Sequence, residues 1–230
     1  MMVMNSYSFG APVPSVHYWL LNDGASPYAN TGSAGSPTMV NSGTVTQDGA
    51  FSGISVAGAG AVTAADTADV FDSIFAGSGK RFTILFNFKL ASLSADAFLF
   101  AKLATSSAER QFLIVARSTG DLDFIWYGAL NGSSFRQVRT ASAISAGVEY
   151  ALRISYDGTI ATGNGLDRVK IFLNGTAKAT TLAGNGGAIH DIIAGPAPIS
   201  LGAAYSSGGV LQGSPSSGSY KRLEIFNYVA

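Results

Sequence analysis

The chain has 230 residues, no cysteine, and 14 basic against 14 acidic side chains, so it is formally neutral. That length allows one large domain with a core that needs no disulfide staple. It carries neither the clustered basic face of a nucleic-acid binder nor a run of about 20 apolar residues that would cross a membrane as a helix. Only 12 % of residues are charged, against about 25 % in ordinary domains. The 28 glycines follow no three-residue period, which excludes collagen. Residues 1–79 hold five Asp and no Lys or Arg, while every base lies in 80–230. Either one half of the molecule meets the opposite half of a neighbour, or both halves mix within one fold.

Residues 1–15 read as an arm. Pro12 and Pro14 and the absence of periodicity argue against regular structure. Its apolar side chains, with Met4, Tyr7 and Phe9 among them, make it a candidate assembly segment; the alternative is a free tail. No Lys or Arg precedes the apolar residues, so no secretory signal is expected. Val16–Leu21 is the first strand, with His17 and Trp19 on one face. His17 reads as a buried, hydrogen-bonded residue rather than a ligand, since no Cys or second His lies near it. Short strands are expected at Thr38–Thr46, Phe51–Val56 and Ala61–Ala64. Asp66–Phe75 predicts a helix capped by Asp66, with Val70, Phe71, Ile74 and Phe75 on its apolar face and Asp69 and Asp72 near its first turns.

Arg81–Leu90 is the strongest strand. Phe82, Ile84, Phe86 and Phe88 alternate with Thr83, Leu85, Asn87 and Lys89. Phe98–Leu103, Arg110–Arg117, Leu122–Tyr127 and Ser134–Thr140 continue as a meander, with a turn at Ser118–Asp121. Val148–Tyr156 alternates apolar with mixed residues, and the glycine of Asp157-Gly158 is expected to supply a positive φ for the turn that follows. Val169–Leu173 closes on Asn174-Gly175, a tight-turn signal. Thr176–Gly195 reads as a loop, reinforced by Pro196 and Pro198. Ile199–Gly202 is a short strand, Ser206–Ser219 a second loop, and Tyr220–Tyr228 the last strand.

Several of these segments together carry a resemblance. They are the early His17-Tyr18-Trp19 strand with its Asn-Asp-Gly turn, the Phe82–Leu90 strand, and Tyr156-Asp157-Gly158 followed by a polar loop and Val169-Lys-Ile-Phe-Leu-Asn-Gly175. The closing strand ends on Asn227-Tyr228. This set resembles laminin-G-like domains of the concanavalin A-like lectin–glucanase superfamily, over about residues 16–229. The resemblance implies an all-β, jelly-roll β-sandwich of two antiparallel sheets with one short helix, spanning residues 16–230 behind the 1–15 arm. That superfamily puts lectins, glycosidases, adhesion modules and viral structural proteins on one scaffold, so fold alone does not decide function.

Glycosidases on this fold need two carboxylates across a strand. The chain has three Glu, at 109, 149 and 224, and none has an acid two or four residues on, so a glycosidase ranks last. Asp121 and Asp123 share a strand face with Ile125 and Tyr127. They form a candidate glycan contact, the carboxylates accepting hydroxyl hydrogen bonds and Tyr127 stacking on a sugar; the alternative is a solvated strand edge beside Arg136 or Arg139. Calcium is common in the family and wants several oxygen ligands. Asp23, Asn30, Asp157 and Asp191 are available donors without a defined ligand spacing, so no cofactor or metal site is assigned. The composition, the absent signal and the apolar arm together favour a non-enzymatic structural or adhesion module. The expectation is a phage virion protein, a capsid decoration or tail component, made in a host cytoplasm and exposed on the particle. Its partners would be other copies of itself and capsid or tail proteins. The alternative is an extracellular carbohydrate-binding module for cell-surface glycan.

Overall fold

The computed structural model describes residues 15–22, 26–35, 37–58, 60–103, 110–129, 133–161, 163, 165–186, 190–205, 211–213 and 217–229. The strands in chain order are β1 (His17–Leu20), β2 (Val40–Ser42), β3 (Val45–Asp48), β4 (Gly53–Val56), β5 (Ala61–Ala64), β6 (Arg81–Leu90), β7 (Ala97–Leu103), β8 (Arg110–Ala116) and β9 (Leu122–Tyr127). They continue with β10 (Phe135–Thr140), β11 (Glu149–Asp157), β12 (Val169–Leu173), β13 (Thr176–Ala177), β14 (Thr180–Gly186), β15 (Ile199–Leu201), β16 (Ala203–Tyr205), β17 (Leu211–Gly213) and β18 (Gly218–Phe226). One helix of four residues, α1 (Asp72–Phe75), precedes β6.

Two eight-stranded antiparallel sheets make a sandwich. The first runs β13-β12-β11-β6-β18-β4-β3, with β1 also paired to β18. The second runs β14-β10-β9-β8-β7-β15-β5-β2, and β16 and β17 form a separate hairpin. The period-two pattern of β6 explains its place. Phe82, Ile84, Phe86 and Phe88 all point inward and are at most 1 % exposed. Each contributes roughly 1.5–3 kcal/mol of transfer free energy. They meet Phe100, Phe112, Phe124 and Trp126 from the second sheet in a single core. Phe75 of α1 plugs one end of that core, edge-on to Phe82 at 4.8 Å and to Phe112 at 4.9 Å.

The Asn174-Gly175 turn is as read, with φ of +50° and +78°, the geometry a two-residue hairpin requires. Other expectations need correction. Gly158 does not take a positive φ; a Cβ there would lie 2.8 Å from the Lys80 carbonyl oxygen, so glycine is needed for close approach of two backbones. The expected ten-residue helix is a 3₁₀ turn (Thr67–Asp69) and α1, because Ala68 and Asp69 adopt φ of +56° and +57° and break the helical path. Asp66 caps nothing in the helical sense: its Oδ1 accepts from the Phe71 amide five residues on. Thr38–Thr46 is not one strand but β2 and β3, which part at Gly43 and join different sheets. The loop expected over Thr176–Gly195 contains β13 and β14, and the one over Ser206–Ser219 contains β17. Backbone pairing to a neighbour, rather than side-chain pattern, makes these strands. The 1–14 segment, with Met4, Tyr7, Phe9, Pro12 and Pro14, lies outside the described residues.

Candidate functional site

The strands β8, β9 and β10 are neighbours, and alternate residues of each face away from the core. Directly opposed residues fall into rows: Val115, Asp123 and Arg139; then Leu113, Ile125 and Gln137; then Tyr127 and Phe135. Leu113, Val115 and Ile125 belong to a second apolar cluster with Ala101, Leu103 and Ala204, against which Tyr127 and Phe135 pack half-buried. Strand β16 lies against β7 within this outer layer. The outer face of the second sheet is therefore apolar at its centre, with Arg, Gln and Asp around it.

Asp123 is fully buried; it is the second residue of β9, which is flanked by β8 and β10, so it is not at a solvated strand edge. Its Oδ1 accepts from Arg139 Nε at 2.7 Å, and its Oδ2 from Arg139 Nη2 at 2.9 Å and Gln137 Nε2 at 2.6 Å. Arg117 Nε also donates to Oδ2, while Arg117 Nη1 reaches Asp96 at 2.6 Å. Both oxygens are thus taken up in holding two guanidiniums and an amide in fixed positions. Buried charge of this kind is tolerated because it is multiply hydrogen-bonded. In this geometry Asp123 orients donors rather than accepting from a ligand hydroxyl.

Asp121 sits at the β8–β9 turn. It accepts from the Ser142 amide at 2.6 Å and from Thr119 Oγ1 at 2.8 Å, and the Ser142 bond first of all holds its carboxyl below the usual range. Six residues of strand separate Asp121 from Tyr127, about 20 Å, so the two do not share a monosaccharide site. Tyr127 faces a different set of groups. Its ring lies 6.2 Å from that of Phe135, and the Arg110 guanidinium is 6.0 Å from the ring centre. Burial pushes the Tyr127 phenol pKa up. Phe135 and Arg110 escaped the sequence reading because the strand pairing that brings them to Tyr127 leaves no local signature.

The end of the sandwich below this face is tied by two buried cations. Lys102 is fully buried. Its ammonium contacts Asp66, the Gly195 carbonyl at 2.8 Å, the Ala197 carbonyl at 2.9 Å and Asp72 at 3.2 Å. Asp72 also accepts from Gln111 at 2.7 Å and from the Gly195 amide at 2.8 Å. Asp66, Asp69 and Asp72 bring carboxylate oxygens within 4.8 Å of one another, and the Lys102 ammonium already bridges two of them. Arg168 donates to Ile160 O at 2.6 Å, Tyr156 Oη at 3.0 Å, His190 O at 2.9 Å and Asp191 at 2.9 Å. It ties Ile160 and Tyr156 to His190 and Asp191.

The oxygen donors considered for calcium are dispersed. Asn30 contacts His17, Asp157 pairs with Arg81 at 3.1 Å, Asp191 pairs with Arg168, and Asp23 lies outside the described residues. Trp126 is core, as its alternation implies, with its indole N–H on the His190 carbonyl at 3.1 Å. A shallow groove of about 410 Å³ opens between the edge of the first sheet at β12 and that of the second at β14, lined by Ile160, Leu166, Asp167, Val169, Lys170 and Thr180.

No protein-family model and no curated protein sequence matches the chain. Solved structures do. A structure from a study of botulinum neurotoxin type C, whose cell entry depends on interaction with two ganglioside molecules, superposes with a TM-score of 0.65 at 13 % identity, covering 94 % of this chain and 48 % of that one. The neurotoxin DC binding domain in complex with rat synaptotagmin II gives 0.63 at 13 % identity, with the same coverages. The CBM40 module of the Ruminococcus gnavus IT-sialidase, bound to α2,3-sialyllactose, gives 0.50 at 19 % identity over 66 % of this chain and 78 % of that one. The chain spans about half the length of the neurotoxin chains it matches. At these identities the likeness is one of fold, and the fold is a two-sheet antiparallel β-sandwich.

Proposed function

We propose that the chain is a non-enzymatic carbohydrate-binding module of laminin-G-like architecture, taking a sugar ring on Tyr127 and Phe135. The observation that carries this reading is the pair of opposed, half-buried aromatic rings on the outer face of the second sheet, beside Arg110 and next to a polar set held rigid by Asp123. A sugar offers an apolar C–H face and a rim of hydroxyls. An aromatic platform and fixed donors complement both parts. Pre-positioned donors lose little freedom on binding. Two of the structural neighbours support the reading, since one is described with gangliosides and another with sialyllactose. They favour a binding role over the virion-structural one. An extracellular or surface-exposed setting follows from this reading.

The test is an oligosaccharide array followed by calorimetry with the strongest hit. Tyr127→Ala is expected to weaken binding roughly tenfold, the worth of one aromatic contact at about 1–1.5 kcal/mol, with the thermal midpoint within a few degrees of the parent. Undiminished affinity in both Tyr127→Ala and Phe135→Ala would remove this face from consideration.

A further inference from the structure

The outer face of the first sheet, on the opposite side of the molecule, is richer in cations than in acids. Most of its bases are matched. Arg81 pairs with Asp157, Lys221 with Glu149 and Arg222 with Glu224, at 2.8–3.2 Å. Lys89 lies in the field of Asp48. Arg153 and Lys170 are different. Among the described residues neither has a carboxylate within ion-pair distance, and Asp167, which lines the same groove as Lys170, does not reach it.

Arg153 on β11 stands directly opposite Phe172 on β12, and Ser155 opposite Lys170. Arg153 and Lys170 are therefore diagonal neighbours on one face, about 7–8 Å apart. Like charges placed so repel each other unless an anion joins them. The Arg153 guanidinium is already oriented: it lies 3.8 Å from the Phe172 ring centre. Its Nε is buried and finds no hydrogen-bond acceptor. Burial pulls its pKa below the usual guanidinium value, with the Tyr228 phenol opposing the shift. A planar cation held on an aromatic ring, its in-plane donors unmatched by any carboxylate among the described residues, is built to receive a bidentate oxyanion. Lys170 supplies a second, point-like charge and continues into the groove at Ile160, Leu166 and Thr180, which has room for sugar rings adjoining the anionic group.

We infer that Arg153, Phe172 and Lys170 form an anion-recognising subsite for the carboxylate or sulfate group of an acidic oligosaccharide. The inference rests on the carbohydrate-binding reading and assigns it a second face and a charge preference. Calorimetry on the intact chain with three probes tests it: maltooctaose (neutral), a hyaluronan octasaccharide (carboxylate only) and a heparin octasaccharide (sulfate and carboxylate). At least one acidic probe is expected to bind more tightly than maltooctaose, with an excess that added salt diminishes. Arg153→Gln should abolish that excess, a loss of roughly tenfold or more. Hyaluronan against heparin shows which anion is preferred. Lys170→Gln, at an exposed position, carries the test if Arg153→Gln does not fold, and should diminish the same excess. Acidic probes binding no better than maltooctaose, or an excess that survives these substitutions, would overturn the subsite while leaving the carbohydrate reading in place. Absence of binding by all three probes would overturn the subsite and count against the carbohydrate reading itself.

Discussion

His17 shows how one buried side chain ties stability to pH. Its ring lies flat on Trp19, with centroids 5.2 Å apart and 6° between planes, and tilts against Phe71 at 5.2 Å. Nδ1 is 2.6 Å from the Asn30 side-chain nitrogen, an arrangement in which a neutral imidazole accepts and an imidazolium could not. Nε2 is buried and finds no acceptor. Burial accordingly pushes the pKa down to about 4. The unfolded chain takes up the proton near pH 6.5 and the folded chain only near pH 4. The full contribution is present above about pH 6.5 and is lost as pH falls toward 4, a total of about 3 kcal/mol. Several carboxyls with lowered pKa values, Asp121 and Asp157 among them, add to the loss at still lower pH. Urea midpoints of the parent and of His17→Gln separate the contributions. The parent should lose more stability than the variant between pH 7 and pH 4.5, and parallel pH profiles would rule out His17 as the source.

At the level of strands and turns, close backbone approaches set what the sequence must supply. Gly158→Ala drives a Cβ against the Lys80 carbonyl, where β6 and β11 are joined by their terminal pairing. Gly49→Ala meets nothing within 4 Å. The first should cost about 2 kcal/mol or more and the second about 0.5 kcal/mol or less by chemical denaturation. Equal costs would show that the Gly158 turn relaxes. Strands with large alternating side chains were legible to their ends: Arg81–Leu90, Leu122–Tyr127 and Val169–Leu173 have the same bounds in sequence and structure. Strand β14 was not, because Thr-Thr-Leu-Ala-Gly-Asn-Gly carries no alternating apolar set and is a strand by virtue of pairing with β10. The same limit applied to the site. The Asp121/Asp123/Tyr127 pattern names residues of β9 and the turn before it, but the partners that bury Asp123 come from Arg117 and from β10. Arg153 could be placed on a mixed face, yet which of the described residues surround it depends on which strands lie beside β11. Local pattern reports a residue's own face; only topology reports its neighbours.

Across the whole molecule, the first sheet depends on its last strand. β18 lies between β6 and β4 and is the partner of β1. Its inward residues Tyr220, Leu223 and Ile225 are at most 1 % exposed. A chain ending at residue 217 loses the join between β3–β4 and β6, and leaves β1 without a ladder. Such a truncation should show no cooperative thermal transition, whereas a two-state melt would mean that the second sheet folds alone. This arrangement also has a consequence during synthesis. The strong apolar strand β6 emerges well before its second flank exists. At ordinary elongation rates, the stretch from residue 90 to residue 226 takes on the order of ten seconds to appear. For that interval Phe82, Ile84, Phe86 and Phe88 belong to a nascent chain whose sandwich cannot close. The chain should therefore be a client of ribosome-associated holding chaperones, and its yield in a cell should follow their supply as well as its final stability.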